Sequence, residues 1–466
     1  MRQLLLSILL LPFCLLGNAE TNEKKATLPL RELQQQFVDL KFGMFIHFNM
    51  GTYMEEDWAD PDAPLSLFNP TRLDCNQWAQ AAKSAKMRYG CLTTKHHNGF
   101  CLWDTKTTDY NAVKAPLHRD VVREYVDAFH KAGLKVFLYY SILDMHHGIR
   151  PGCITEADVQ MIKTQLTELF TNYGEITAVI IDGWDAPWSR ISYDEVPFAE
   201  MYRLIKSLQP NCLVMDLNAA KYPTEALFYT DIKSYEQNAG QHISKETNKL
   251  PALSCLPINS SWFWKESFPT SPVKSPSLIV DENINPMNRI DCNFILNVSP
   301  NREGLIDDNT LTALRQIGKL WDDKAVQVPF LPPYDAPLIA RNLSKFQTCY
   351  SSWSHDMWIM DFANDDDFTT SWTSNEQVEK PWYVVDLKRT HAFNTIVITD
   401  LKNSFDTYTL FYEKAGEWIP IPQQAQKGSV KIHRFDRTWG EKIKIEIVRS
   451  SVSPSITEFA VYDEER

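Results

Sequence analysis

The most informative segment of the chain is Ala178-Val-Ile-Ile-Asp-Gly-Trp-Asp185. Its apolar, strand-forming residues carry one carboxylate, Asp182, to the end of the run, where Gly183 breaks the strand. Burying an unpaired carboxylate is costly, so such a group is tolerated only at the tip of a core strand. A (β/α)8 barrel keeps its reactive groups at the carboxyl ends of its strands. Asp182 is therefore a candidate catalytic residue, although Asp is also a favoured cap for a following helix.

Seven further apolar runs read as strands between residues 30 and 325, at 41–48, 88–94, 135–141, 212–216, about 229–235, 252–257 and 293–298. Helical patterns separate several of these runs: residues 121–132 place an apolar stripe on one face, and 156–173 and 197–208 behave similarly. A further helix is predicted at 308–321, begun by an Asp308-Asn-Thr cap region, as the closing element of the barrel. Eight strands alternating with helices predict an α/β fold, a (β/α)8-like TIM barrel over residues 20–325. The later strands are irregularly spaced, which indicates a distorted barrel.

The chain changes character after the barrel. Residues 326–337 contain four prolines and predict an extended linker. Short alternating runs then follow at 382–387, 393–399, 407–412 and 442–448. This spacing predicts a small antiparallel β-sandwich over residues 338–466.

Residues 1–19 read as a secretory signal peptide, because a basic residue precedes an apolar run and the small-residue pattern Gly17-Asn-Ala19. We therefore expect an exported protein, periplasmic or secreted. The formal net charge of -12 argues against a nucleic-acid binder, and no later run is long enough to span a membrane. Eight cysteines remain beyond the signal, several inside apolar strands, so we expect mostly free, buried thiols.

A second carboxylate, Glu236, lies in Asp231-Ile-Lys-Ser-Tyr-Glu-Gln-Asn-Ala-Gly240. Two carboxyl groups facing one cavity are the minimum for hydrolysing a glycosidic bond. His47 ends the first strand and His96-His97 the second, and neutral imidazoles at strand tips can bind the hydroxyls of a polyol. The alternative for any one histidine is a core position. A metal centre is disfavoured, because neighbours on a strand face opposite ways and no HExxH motif occurs.

Aromatic residues follow or occupy the same strands and could stack on the apolar face of a sugar. The candidates are Tyr139, Trp103, Trp184, Trp262 and Trp264. For each the alternative is packing in the core. No GxSxG elbow, P-loop or dinucleotide-binding GxGxxG pattern is present, so no cofactor for catalysis is expected.

These segments resemble glycoside hydrolase family 29, the retaining α-L-fucosidases. The resemblance covers nearly all of residues 30–325 and is carried by Lys41-Phe-Gly-Met-Phe-Ile-His-Phe48, Lys95-His-His-Asn-Gly-Phe-Cys-Leu-Trp-Asp104, Leu138-Tyr-Tyr-Ser141, Ile181-Asp-Gly183 and 294–306. Two positions depart from the family pattern: Asn98 replaces the usual Asp, and Ile180 replaces an aromatic residue.

The resemblance implies that Asp182 is the nucleophile. It also implies that His47, His96 and His97 bind fucose hydroxyls, and that Trp103 and an aromatic of the 262–264 segment line the sugar. Glu236 stands in a context like that of the branch acting on α-1,3 and α-1,4 linkages, which makes it the expected acid/base. Asp185 is an alternative nucleophile.

The tail resembles a discoidin-like (coagulation-factor type C) sandwich through 363–372 and 382–387. That resemblance implies a structural calcium ion near Asp365, Asp366 and Asp367, since oxygen ligands suit calcium; the alternative is a solvated acidic turn.

The expected function is hydrolysis of terminal α-1,3/α-1,4-linked L-fucose from oligosaccharides or glycoconjugates by double displacement. Another retaining glycosidase, or a carbohydrate-binding protein without turnover, are the alternatives. The sequence leaves the oligomeric state open.

Overall fold

Eight parallel strands form a nearly closed barrel in the computed structural model, which describes residues 26–354, 359–448 and 452–465. The predicted signal peptide lies outside the described residues. The barrel strands are β1 (Phe42–Ile46), β2 (Tyr89–Lys95), β3 (Lys135–Ser141), β4 (Ala178–Asp182), β5 (Leu213–Asp216), β6 (Lys233–Glu236), β7 (Ala252–Pro257) and β8 (Cys292–Asn297). They pair in the order β5-β4-β3-β2-β1-β8-β7-β6, so the TIM-like fold is confirmed.

The helices are less regular than the strands. They are α1 (Leu30–Asp39), α2 (Met50–Met54), α3 (Cys75–Ser84), α4 (Val121–Lys131), α5 (Glu156–Asn172), α6 (Phe198–Leu208), α7 (Pro276–Leu278), α8 (Asn285–Asn288) and α9 (Asp308–Leu320). A π-helical segment, Ile279–Ile284, joins α7 to α8. Between β5 and β6, and between β6 and β7, the fully described chain forms only the short 3-10 turns Ala219–Lys221 and Gln237–Ala239. The distortion predicted from the spacing therefore consists of two missing helices.

The barrel strands carry apolar side chains on both faces, which form an inner and an outer layer. Inside the barrel, side chains such as Phe45, Tyr89 and Phe137 pack together, and α1 inserts Leu33 and Phe37 among them. Outside it, the strands pack against the helices in a larger core. Because α1 and the inner layer fill the amino end of the barrel, the open space lies at the carboxyl ends of the strands.

The C-terminal region is an antiparallel sandwich, as predicted. Its strands are β9 (Thr348–Ser351), β10 (Trp372–Thr373), β11 (Trp382–Thr399), β12 (Tyr408–Lys414), β13 (Glu417–Pro420), β14 (Val430–Ile447), β15 (Ser455–Ile456) and β16 (Glu458–Tyr462). The runs 382–387 and 393–399, predicted as two strands, form one long strand with register shifts. The sandwich has its own core, yet Ala460 and Tyr462 belong to the outer core of the barrel.

All eight cysteines among the described residues are free, and seven are buried, which confirms the prediction; Cys153 is exposed. Within the described part of the chain, no helix combines the length and the apolar character needed to cross a membrane.

Candidate active site

One cavity of about 280 Å³ opens at the carboxyl ends of the barrel strands. Both candidate carboxylates, all three candidate histidines, Tyr139 and Trp262 line it. The remaining lining residues are Phe45, Asp57, Trp58, Trp188, Leu217 and Cys255. The structure thus brings together seven side chains that the sequence assigned to one site.

Asp182 is the last residue of β4 and is held by donors on both carboxylate oxygens. Gly183 N donates to Oδ1 at 2.6 Å, and Asn218 Nδ2 donates to the same atom at 3.0 Å. The Tyr139 hydroxyl donates to Oδ2 at 2.6 Å. The residue is 3% exposed. Charge-assisted hydrogen bonds of this kind fix the orientation of a carboxylate, which a nucleophile requires.

Glu236 is the last residue of β6 and has a different environment. Burial raises the pKa of this carboxyl to about 7, and the nearby charge of Asp182 adds to the rise. A hydrogen bond with the Trp262 side chain acts in the opposite direction. Two carboxyl groups in one cavity, one held by donors and the other still partly protonated at neutral pH, can divide the roles of nucleophile and general acid.

The three histidines are neutral at pH 7 because burial lowers their pKa values. For His47 the value falls to about 4, with a hydrogen bond to Asn297 opposing the shift. The pKa values of His96 and His97 are lowered for the same reason. Neutral imidazole carries one donor and one acceptor nitrogen, so each ring can accept a hydrogen bond from a hydroxyl.

The hydrogen-bond partners indicate which nitrogen of two rings carries the proton. Asn297 Nδ2 donates to Trp262 O, so Asn297 Oδ1 accepts from His47 Nδ1 at 2.7 Å. Ser141 Oγ donates to a main-chain carbonyl and accepts from His97 Nδ1 at 2.8 Å. In both rings Nε2 is therefore the acceptor. His97 Nε2 lies 3.6 Å from Asp182 Oδ2.

Both members of the His96-His97 pair reach the cavity because β2 ends at Lys95, directly before them. Their ring centroids are 4.2 Å apart. Lys95 itself points away into a buried network, with Nζ 3.1 Å from Asp144 Oδ2 and 3.0 Å from Gln165 Oε1. A turn closed by Gly99 N and His96 O follows. The rule that strand neighbours face opposite ways does not apply after the strand has ended.

Asp57, Trp58 and Trp188 were not predicted from the sequence. Asp57 Oδ1 accepts from Ser261 Oγ at 2.7 Å and from two main-chain N–H groups. Trp58 is 44% exposed, and its ring stacks on His97 at 4.7 Å between centroids. Trp188 is 39% exposed at the mouth of the cavity. All three lie on long loops. The only sequence signal for them concerned the two tryptophans, each of which follows a strand along the chain.

Three predicted tryptophans do not line the cavity. Trp103 is fully buried and donates to Glu168 at 2.9 Å. Trp184 is fully buried and donates to Val196 O. Trp264 donates to Asp307 at 2.7 Å. We reassign these three residues to packing, because each indole N–H is already used inside the fold.

Asp185 is absent from the cavity lining, since its carboxylate forms an ion pair with Lys221. This placement removes it as an alternative nucleophile. Of the two aspartates in residues 178–185, Asp182 is the one that faces the cavity.

The acidic loop of the sandwich does not gather its three aspartates around one point. Asp366 Oδ2 is held by Lys221 at 3.0 Å and by Lys345 at 2.6 Å. Asp365 accepts from Thr370, and Asp367 accepts from Thr369. Across residues 26–354, 359–448 and 452–465, no three His, Cys, Asp or Glu side chains are placed to hold a metal ion. The described part of the structure does not show the predicted calcium site, and Asp366 is instead paired with two ammonium groups.

Comparisons with known proteins agree with this architecture. A family model described as alpha-L-fucosidase matches residues 16–324, and one described as F5/8 type C domain matches residues 347–460. Alpha-L-fucosidase 1 of Arabidopsis thaliana is 32% identical over 317 residues, covering 63% of this chain and 60% of the plant protein. The human tissue alpha-L-fucosidase is 24% identical over 341 residues, covering 63% of this chain and 68% of the human protein. The chain thus spans less than two thirds of the length of the plant relative.

Solved structures show the same fold. Alpha-L-fucosidase isoenzyme 1 from Paenibacillus thiaminolyticus matches with a TM-score of 0.54 and 23% identity, covering 91% of this chain and 100% of that one. A putative alpha-L-fucosidase from Bacteroides thetaiotaomicron matches with a TM-score of 0.52 and 23% identity, covering 95% of this chain and 98% of that one.

Proposed function

This chain belongs to the alpha-L-fucosidase family, and from that premise we propose that it is a retaining exo-α-L-fucosidase. The observation that carries the proposal is the shared cavity of Asp182 and Glu236, with three neutral histidines beside them. A retaining glycosidase needs one ionised and one protonated carboxyl group on either side of the scissile bond. The raised pKa of Glu236 supports its role as the protonated partner.

The proposed reaction has two steps. A carboxylate oxygen of Asp182 attacks the anomeric carbon of fucose while the bond to the leaving oxygen breaks, and Glu236 gives that oxygen its proton. Glu236, now ionised, takes a proton from water, whose oxygen attacks the anomeric carbon and releases Asp182. General acid–base catalysis of this kind contributes roughly 10²–10⁴-fold to the rate.

The remaining cavity residues suit a deoxyhexose. Histidine Nε2 atoms and Asp57 would accept hydrogen bonds from sugar hydroxyls. Phe45 and Trp262 present apolar surface in the same cavity, which suits the C–H face or the methyl group of fucose. No group in this scheme calls on a cofactor.

We propose terminal α-1,3- and α-1,4-linked fucose of glycans as the substrate. The support is the position of Glu236 at the end of β6, within Tyr235-Glu-Gln-Asn-Ala-Gly240, the context that resembles the branch acting on these linkages. A panel of α-1,2-, α-1,3-, α-1,4- and α-1,6-fucosylated oligosaccharides tests the proposal. We expect release of L-fucose from the α-1,3 and α-1,4 members, and release only from the other two would overturn it.

The stereochemistry and the nucleophile are tested separately. Proton NMR during the first minutes of hydrolysis should show the α anomer of fucose. Asp182→Ala should lose turnover, and azide should restore product formation as a fucosyl azide. Appearance of the β anomer would contradict retention. Fucoside binding without hydrolysis by the unsubstituted protein would instead favour the non-catalytic alternative, and release of a different sugar would favour another glycosidase.

We also propose export, on the basis of the signal-like residues 1–19. Mass spectrometry of the N-terminus of the protein recovered from its native cells should find a start at or just after residue 20. An intact N-terminus would contradict this proposal.

A further inference from the structure

The loop after β4, residues 183–197, forms one wall of the cavity mouth; we call it the Trp188 loop. A β-bridge joins Trp184 to Ile191 and closes the part of the loop that carries Trp188, and Asp185 N donates to Ile191 O at 2.8 Å. Arg190 N donates to Ala186 O at 2.8 Å within the loop. Trp188 stands at its tip, with its ring 6.4 Å from that of Trp58. Because the loop is closed on itself, contacts at its base decide where Trp188 lies.

The base of the Trp188 loop is held by an ion-pair bridge to the other domain. Asp185 has a φ of 48°, in the left-handed region, which aspartate adopts more readily than most residues but less readily than glycine. Its carboxylate binds the ammonium of Lys221, on the 3-10 turn after β5. Lys221 Nζ lies 3.0 Å from Asp366 Oδ2 in the sandwich, and Lys345 binds the same oxygen at 2.6 Å.

A second set of contacts ties the same region to the sandwich. Arg341 Nε lies 3.3 Å from Asp194 Oδ1, near the end of the Trp188 loop. The ring of Tyr222, directly after the Lys221 turn, is 5.3 Å from that of Phe368. No helix covers the described segment between β5 and β6, so the sandwich is the packing surface available to it.

We propose that the C-terminal sandwich positions the Trp188 loop, and with it the leaving-group side of the cavity, through the Asp366–Lys221–Asp185 bridge. Asp366 is then a positioning residue that acts through Lys221 and touches no substrate. This inference rests on the proposed function for its kinetic consequence. Trp188 lies in the exposed outer part of the cavity lining, whereas Asp182 is buried in its deeper part. The glycan attached to fucose therefore meets Trp188.

The pair Asp366→Asn and Asp367→Asn gives a matched test. Both substitutions remove one negative charge from the same loop, but the Asp367 carboxylate binds Thr369 and forms no ion pair with either lysine. Hydrogen–deuterium exchange of peptides covering the Trp188 loop should be faster in Asp366→Asn and unchanged in Asp367→Asn. This measurement needs no substrate, so it tests the Asp366–Lys221–Asp185 bridge even if the protein releases no fucose. Equal exchange in both variants would overturn the proposal.

Kinetics with two substrates separate positioning from loss of structure. With a fucosylated oligosaccharide, Asp366→Asn should raise KM about three- to tenfold, the size expected for a partly buried ion-pair network. With α-L-fucosyl fluoride, whose leaving group is a single atom, kcat and KM should not change. In a Trp188→Ala background, Asp366→Asn should have no further effect on KM. A parallel loss on both substrates, or an additive effect in the double variant, would contradict a positioning role.

Discussion

Glu236→Gln should make the protein more stable at alkaline pH while removing its activity on unactivated glycans. The side chain is only partly exposed in the cavity, and its carboxyl pKa rises from the usual 4.5 to about 7, chiefly because of burial. Because the folded-state pKa is the higher one, the stability contributed by the protonated form is complete below pH 4.5. That stability is lost as the pH rises through 7. Glutamine cannot ionise, so the Glu236→Gln variant keeps this stability as the pH rises.

The size of the effect follows from the two pKa values. Each pKa unit corresponds to about 1.4 kcal/mol, so the rise from 4.5 to about 7 corresponds to roughly 3 kcal/mol in full. The cavity is open to water on one side, which screens part of the charge. We expect the free energy of unfolding of Glu236→Gln to exceed that of the unsubstituted protein by about 2 kcal/mol at pH 8. At pH 4.5 the difference should be close to zero.

Urea unfolding followed by tryptophan fluorescence at pH 4.5 and pH 8 measures this difference directly. Glu246→Gln, at an exposed position between β6 and β7, is the control. This variant should show no pH-dependent gain in the free energy of unfolding. If Glu236 is the general acid, as proposed, the activity of the unsubstituted protein should fall above about pH 7, where this carboxyl group loses its proton. A stability difference that is the same at both pH values would refute the assignment of the raised pKa to Glu236.

Three further predictions concern the surroundings of the carboxylates. Trp103→Phe should lower the free energy of unfolding by about 1–3 kcal/mol, because it leaves buried Glu168 without its indole donor, and it should not change KM. Trp58→Ala, which removes the ring stacked on His97, should raise KM for fucosides about tenfold in initial-rate assays. Asn218→Ala removes a donor to Asp182, the proposed nucleophile, and should lower kcat about tenfold, with KM unchanged. An unchanged kcat would mean that the other donors alone orient the carboxylate.

Most of the barrel strands were predictable because they are short apolar runs that end at or beside a polar residue; β6, with the sequence Lys233-Ser-Tyr-Glu236, is an exception. Buried parallel strands are covered on both faces, so they read as continuous apolar segments. The helices were predictable only where an apolar stripe exists, as in α4 and α6. Between β5 and β6 the sequence has no such stripe, and nothing local indicated that a separate domain would cover that side.

The two carboxylates and three histidines were predictable for a related reason. Strand ends are specified locally, and the carboxyl ends of all barrel strands meet at one face. The tryptophans were not predictable in the same way. Trp103 follows β2 but turns into the outer packing, whereas Trp58 lies on a long loop and reaches the cavity. Which face an indole takes after a strand has ended depends on contacts made by distant segments.

The Trp188 loop shows why local sequence could not determine the mouth of the cavity. Trp188 reaches its place through a loop whose base is bound by Lys221, and Lys221 is bound in turn by Asp366, far along the chain in the sandwich. The acidic loop that suggested calcium therefore uses one of its carboxylates to join the two domains. In this fold the deep part of the site is specified by strand ends within the barrel. The outer part depends on a domain none of whose described residues lines the cavity.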